Sequence, residues 1–457
     1  MLYGMASVLY SCMSLISVPL LTHNISITDY GIFEILTSFI GVAAIIGALG
    51  QDSAFARFHY ETESLTERNN IIRLGFTIQL MASVFVVIVF MAIGSKIELL
   101  HTHYKRSVGA ILLVTASVIP ATIVSNYVRN VLKWTFRREQ YAAVTLLYSI
   151  LLIINYYVLV YHLHMGLYGA LLSLIIALVL PSIIGLLLFR SISIGSLDFS
   201  HVGPMLRFGV PYMLLGVMNQ GIRVADKIAV SFYQGVDATA VYAVGFKVAS
   251  ISLALDSLFH MSWGPISLAI FKEQNANDTY DHALDIIIGI MTLSVLIITG
   301  FSSEIVSLVS PSSFSKASTV AVILSVGLAF QSVAGIASIG IDLAKKTRLL
   351  VLSWCVGIAI SISIILIISP KLGMIGVALG VATGLVIESL VRTLIGHLVY
   401  KIKFSRLRNV IYIPISALLM YFLNKTSMPI SVVLTVKISI ITVFTLFWLN
   451  KIKSSFT

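Results

Sequence analysis

Apolar stretches of about twenty residues follow one another along almost the whole of this chain, with short polar links between them. Backbone N–H and C=O groups find no partner in lipid, so each stretch must close its hydrogen bonds internally as a helix. A barrel would alternate apolar and polar at every second residue, which these stretches do not. The expected spans are roughly 3–21, 32–50, 74–95, 107–128, 141–161, 166–189, 206–232, 238–262, 284–303, 318–343, 349–369, 373–400, 409–424 and 431–449, fourteen in all. Of these the thirteenth is short and the tenth long. The fold class is therefore an all-α polytopic membrane protein. Charged residues make up 11% of 457 positions, against about 25% in a soluble domain, which leaves little chain for a separate soluble domain.

The net charge of +11 comes from Lys and Arg scattered over short loops, not from one basic face, and nucleic-acid binding is not expected. Nineteen Lys and Arg fall in links on one side of the membrane and six on the other, among them Lys96, Lys105 and Arg106. The richer side is read as cytoplasmic by the positive-inside rule. An even number of spans then places both termini there. Cys12 and Cys355 lie in apolar stretches, read as small buried hydrophobes with no disulfide framework. The first apolar run continues to Leu21 without a basic lead-in, so no cleavable signal peptide is expected.

The two halves repeat. His164-Met165-Gly166-Leu167-Tyr168-Gly169-Ala170 opens span six, and Lys371-Leu372-Gly373-Met374-Ile375-Gly376-Val377 opens span twelve 207 residues later. Asp29 before span two has its counterpart at Asp237, and Arg137-Arg138 has its own at Lys345-Lys346, each 208 residues on. Six spans per copy give two pseudo-symmetric lobes of the same orientation, residues 1–195 and 196–404. Spans thirteen and fourteen, residues 405–457, stand outside the repeat.

Five cations fall inside spans: Arg223, Lys227, Lys247, Arg392 and Lys437. A charge at the bilayer centre costs about 2.5–3.5 kcal/mol on insertion scales. Such groups face protein or water, and a cluster of them suggests transport of something anionic.

Short motifs carry a family resemblance. Pro19-Leu20-Leu21-Thr22, Ser26-Ile27-Thr28-Asp29-Tyr30-Gly31 and Gly50-Gln51-Asp52-Ser53-Ala54-Phe55-Ala56-Arg57-Phe58 are similar to the opening pattern of bacterial polysaccharide flippases. Ala225-Asp226-Lys227-Ile228, Val241 to Lys247, Ser262-Trp263-Gly264-Pro265 with Phe271-Lys272, and Gly340-Ile341-Asp342 with Lys345-Lys346-Thr347 resemble later elements of the same family. That family belongs to the multidrug/oligosaccharidyl-lipid/polysaccharide exporter superfamily. The resemblance runs from about residue 3 to 400. It implies alternating access by two rocking lobes. The cargo it implies is an undecaprenyl-diphosphate-linked oligosaccharide, crossing the bacterial inner membrane for O-antigen, capsule or lipopolysaccharide synthesis. It departs at His23 and Lys227, where the family often has Arg. Lys is a compact charge, so a bidentate phosphate fork is not carried over to those positions.

On this basis Asn219, Arg223 and Lys227, which share one helical face with Asp226, and Lys247 are candidates for diphosphate binding, with Asp226 and Asp52 as coupling or gating groups. The alternatives are an Arg223–Asp226 structural pair, and Lys247 snorkelling or pairing with Asp226. Asp256 and His260 sit four apart and would serve as a proton carrier, or as a local hydrogen bond in a wet vestibule. Gly376, Gly380 and Gly384 would admit a close neighbouring helix. Glu388 and Arg392 beyond them form either a self-satisfied i,i+4 pair or part of a binding site. Asp52 and Arg57 sit at the inner end of span two, with Glu34 near its outer end. Arg57 would gate with the Arg137–Arg138 loop or with Asp342, although topology alone would also place it there. Tyr148, Tyr156, Tyr157, Asn126 and Asn155 would meet sugar hydroxyls or, for most of the tyrosines, form an interfacial belt. Lys437 would snorkel or face a lipid-tail groove.

No P-loop, no HExxH and no clustered Cys/His set is present, and His101 with His103 alone make a poor metal site. No enzyme activity, metal or cofactor is expected, with proton or sodium coupling as the energy source. Expected partners are membrane lipids and the polymerase of the same glycan pathway. The competing reading is a cation-coupled multidrug antiporter of the same superfamily. A membrane glycosyltransferase would need a large outer loop, and the outer loops here are short.

Overall fold

The computed structural model describes residues 13, 15–94, 108–189, 197–270, 273, 276–344, 346, 348–402, 404–426 and 429–456, with the side chains of 261, 262, 264, 265, 268, 269, 430 and 452–456 left aside. Cys12, Lys96, His101, His103, Lys105, Arg106, Arg190, Phe271, Lys272, Lys345, Thr347 and Lys403 lie outside the described residues, as do the side chains of Ser262, Pro265 and Lys453.

Among the described residues, sixteen α-helices follow a helical stretch at 15–22. They are α1 (Ile27–Ala48), α2 (Gln51–Glu61), α3 (Leu65–Gly94), α4 (Val108–Trp134), α5 (Arg138–Asn155), α6 (Gly166–Leu188), α7 (Val202–Gln234) and α8 (Val236–Ala249). Then come α9 (Ile251–Ala269), α10 (Ala276–Val309), α11 (Ala317–Ala337), α12 (Ile339–Leu343), α13 (Arg348–Leu372), α14 (Met374–Val399), α15 (Tyr412–Asn424) and α16 (Ile430–Phe456). No strand occurs among the described residues. Twelve helical segments of the described residues are long and apolar enough to cross a membrane. The 33-residue α7 is not among them, because its apolar run is broken by Asn219, Gln220, Arg223, Asp226 and Lys227.

The chain forms two compact units, residues 1–227 and 228–457, and the division falls within α7. Inside the first unit α4 packs on α1, α3 and α6, and α5 packs on α6. Inside the second, α11 packs on α8, α10 and α14, and α13 packs on α14. The two patterns correspond helix for helix. The starts of α8, α10, α11, α13 and α14 fall 208–211 residues after those of α1, α3, α4, α5 and α6. Gly166 and Gly373, at the entries to α6 and α14, both have φ +55°, a backbone state in which a Cβ is strained. At Gly373 the side chain of Gln234 fills the place a Cβ would take, and its Oε1 accepts the Met374 N–H at 2.9 Å. The last residue of α7 thus caps α14.

Local chemistry sets the breaks. Ser26 caps α1 by accepting the Asp29 N–H at 3.0 Å. That helix stops at Leu49 and Gly50, both left-handed, with the Gly209 carbonyl against Gly50. Span two therefore corresponds to α1, and Asp52 and Arg57 ride on the separate helix α2 that follows it. The glycines of α14 work as expected: built Cβ atoms on Gly376, Gly380 and Gly384 would strike Ser369, Ile365 and Ser361 of α13.

The last two helices dock on α10. Trp448 of α16 lies over Gly289, and its indole N–H donates to the Asp285 carbonyl at 3.2 Å. The Asp285 carboxylate gathers Asn409 at 2.7 Å, Lys451 at 3.0 Å and Arg406 at 3.8 Å. Asp281, one turn earlier, accepts the Arg406 backbone N–H at 3.0 Å and the Ser405 hydroxyl. Lys437 neither snorkels nor faces a groove. It is buried, with Nζ 3.4 Å from Glu304 and 5.3 Å from the centre of the Phe301 ring. Cys355 corrects the expectation of a buried thiol, since it is free and exposed on α13. The opposite face of that helix, through Ser353, Gly357 and Ser361, is the one turned to α14.

Candidate functional site

In the first unit the in-span cation paired across helices is Lys227. Its Nζ lies 2.8 Å from the Glu34 carboxylate, 2.8 Å from the Ser38 hydroxyl and 3.3 Å from the Glu34 carbonyl. Both side chains are nearly closed off, at 12% and 5% exposure. A bare ion in such surroundings costs several kcal/mol, which explains why the lysine is held by three acceptors. Small residues permit the approach of α7 to α1. A Cβ on Gly41 would stand 2.7 Å from Gln220 Nε2, and one on Gly216 would stand 3.0 Å from Ile45. Asp226, beside Lys227 in sequence, is also buried, Arg223 is half-buried and Asn219 is exposed. The face read from the sequence therefore grades from exposed to buried along α7.

The carboxylate that meets Lys227 is Glu34, 193 residues away. Sequence reasoning noted Glu34 but did not pair it. Its i+4 hydroxyl partner Ser38, which donates to the Glu34 carbonyl at 2.7 Å, was the available signal.

Asp52 accepts from the buried Gln79 at 3.2 Å and so ties α2 to α3. Arg57 is paired with Glu61 at 2.8 Å and lies over the Phe208 ring at 4.6 Å. Arg137, one of its expected gate partners, instead donates to the Leu188 carbonyl at 2.9 Å. Like charges do not draw Arg57 to that loop, whereas Glu61 one turn on does. Of the tyrosines, Tyr157 is exposed and stacked on Tyr161, Tyr156 is buried, and Tyr148 is buried with the Arg129 guanidinium 5.5 Å from its ring. Asn126 accepts from Arg129 at 2.6 Å, and Asn155 has a buried amide nitrogen.

In the second unit two pairs that looked separate in sequence meet. His260 Nε2 stands 3.2 Å from Asp256. Arg392 Nη1 stands 3.6 Å from Glu388, and its Nε donates to the Ser338 hydroxyl at 2.9 Å. Glu388 is almost wholly buried and also accepts from Ser353 at 3.3 Å. The pairs converge on Gly335. A Cβ there would stand 2.8 Å from His260 Nε2 and 3.5 Å from Arg392 Nη2. The bare glycine of α11 thus leaves room for a cluster that joins α9, α11 and α14. The fourth cation, Lys247, is half-buried in the last turn of α8. No group of three or more His, Cys, Asp or Glu is placed to hold a metal among the described residues.

These features define a multi-pass, all-helical membrane protein in which Lys227 and Lys437 are held by carboxylates on other helices and Arg392 by one on its own. A family model described as "Polysaccharide biosynthesis protein" matches residues 1–271. That is more than half of the chain, which belongs to this family. Among solved structures, the lipid II flippase MurJ in an inward closed conformation is similar at 17% identity, covering 99% of each chain with a TM-score of 0.74. A multidrug resistance MATE family transporter of the MOP superfamily is similar in its inward-facing conformation at 17% identity, over 85% of this chain and 94% of that one, with a TM-score of 0.71. An outward-facing conformation of such a transporter is similar at 16% identity, over 87% and 94%, with a TM-score of 0.64. At these identities the likeness establishes the fold. No curated protein matches the chain by sequence.

Proposed function

We propose that the protein is a flippase. On this reading it carries an undecaprenyl-diphosphate-linked oligosaccharide across the bacterial inner membrane by alternating access, for O-antigen, capsule or a related surface glycan. Membership of the polysaccharide biosynthesis family and the fold seen also in a lipid II flippase support this reading. The observation that carries it is Lys227. A buried ammonium whose carboxylate partner sits on a different helix can exchange that partner for a diphosphate when the helices move. Arg223, Lys247, Arg392 and Asn219 are the other proposed contacts. Asp226, Asp52, Arg57 and Glu388 are proposed to hold or release them. Both termini are placed in the cytoplasm, and the polymerase of the same glycan is the proposed protein partner.

Proton coupling, with sodium as the alternative, is assigned here to Asp256 and His260. Their closeness to Arg392 across Gly335 would let a proton bias the cluster electrostatically. Replacing Asp256 by Asn is expected to leave export unresponsive to collapse of the proton gradient, whereas export by the unaltered protein stops. Equal sensitivity in both would remove this role.

A deletion strain tests the reading as a whole. The expected result is loss of surface glycan and accumulation of the carrier-linked unit on the cytoplasmic face. A strain with normal glycan but raised sensitivity to cationic drugs would instead favour multidrug antiport, the reading that the likeness to MATE structures also supports.

A further inference from the structure

A second feature of the 228–457 unit lies outside the charged cluster. α11, α14 and the 3₁₀ turn Leu407–Ile411 enclose a groove of about 450 Å³. Phe330, Val333 and Ala334 form one wall, with Leu390 and Leu394 opposite. Leu390 and Leu394 are themselves more than half exposed. On membrane helices that makes the groove open toward the bilayer rather than toward water.

Two cationic or titratable side chains join this lining, His397 near the C-terminal end of α14 and Arg408 from the turn. The His397 ring is already engaged, its Nδ1 3.1 Å from the Ile402 carbonyl. Arg408 is exposed and forms no ion pair among the described residues. It belongs to the run Tyr400-Lys401-Ile402-Lys403-Phe404-Ser405-Arg406-Leu407-Arg408, which holds four cations and no acid. An apolar trough with a guanidinium in its lining matches a hydrocarbon chain that ends in a phosphate.

We propose that this groove is a binding site for an anionic membrane phospholipid. One acyl chain lies between α11 and α14, and Arg408 holds the phosphate. The site is distinct from the residues assigned to the translocated cargo and does not depend on that assignment. Its chain-binding wall borders Ser389, next to Glu388, so an occupied groove would also brace the helix that carries the Glu388–Arg392 pair.

Native mass spectrometry of the purified full-length protein tests this, with phosphatidylglycerol as the probe and phosphatidylethanolamine as the neutral comparison. The expected result is one retained phosphatidylglycerol, bound about tenfold more tightly than phosphatidylethanolamine, whose own ammonium competes with the guanidinium for the phosphate and weakens a charge-assisted contact worth roughly that factor. Arg408→Gln, on the surface and without an ion-pair partner, should fold normally and lose that preference. Arg408→Lys should keep most of it. Thr393→Trp, which fills the groove, should expel both lipids. Three results would overturn the proposal: phosphatidylglycerol retention unchanged in Arg408→Gln, retention unchanged in a folded Thr393→Trp, or one-for-one displacement of phosphatidylglycerol by an equimolar polyprenyl diphosphate. The last would hand the groove to the cargo's own tail.

Discussion

Lys227→Ala is expected to abolish glycan export and to destabilise the protein by about 3–5 kcal/mol, the usual cost of stranding one member of a buried ion pair. The stranded group is Glu34, only 5% exposed. The Ser38 hydroxyl donates to the Glu34 backbone carbonyl. Loss of export alone would not separate recognition of a ligand from loss of fold. The double variant Glu34→Leu with Lys227→Met does so. Buried pairs replaced by apolar residues of similar volume often regain stability. Thermal unfolding in detergent should return to within about 1 kcal/mol of the unaltered protein, while surface glycan stays absent. A stable double variant that exports normally would make the pair a structural clasp and nothing more.

Arg392→Ala should have the second largest effect. Glu388 is almost wholly buried, and Arg392 is its cationic partner at 3.6 Å. The same guanidinium holds Ser338 at 2.9 Å. Removing it strands a carboxylate at a cost of about 3 kcal/mol and unties α14 from α11. Export should fall by at least about tenfold, the rate equivalent of a 1.4 kcal/mol loss. Arg392→Lys keeps the charge but loses the planar fork that reaches two partners at once, so it should fall between the two. Export at full level in Arg392→Ala, measured as surface glycan per inserted protein, would remove this residue from the transport machinery.

Much of the architecture was legible because the bilayer leaves few options. Apolar length alone separates span from link, and the expected span limits fall close to α4, α6, α11 and α14. The repeat was legible because Gly166 and Gly373 occupy the same strained backbone state at the same point of each copy. The expected end of span two at residue 50 coincides with the break at Leu49–Gly50, but hydropathy could not show that a second helix, Gln51–Glu61, follows it. Nor could it show that Gln234 caps α14 from 140 residues away.

The candidate site was legible only in part. In-span charges stand out because each is costly in lipid, which is how Lys227, Glu388 and Arg392 were found. Local pairs at i,i+4, such as Asp256–His260 and Glu388–Arg392, follow from helical geometry. Distant partners do not. Lys227 was given no carboxylate partner in sequence and meets Glu34 in space. Lys437 looked as if it would reach for the interface and meets Glu304. The convergence of His260 and Arg392 over Gly335 depends on how three helices pack, and no spacing along the chain encodes it. The partner that Arg57 has here was within reach of the same rule, since Glu61 stands four residues ahead.

The most direct measurement is translocation by the purified protein. Vesicles would be loaded on one face with the carrier-linked glycan that accumulates in the deletion strain, and its arrival on the other face followed with a membrane-impermeant sugar-modifying reagent. Vesicles holding the unaltered protein should expose the glycan well above the protein-free rate, and those holding the stable Glu34→Leu, Lys227→Met variant should not. Transfer by the unaltered protein no faster than in empty vesicles, or equal transfer by the variant, would contradict the account.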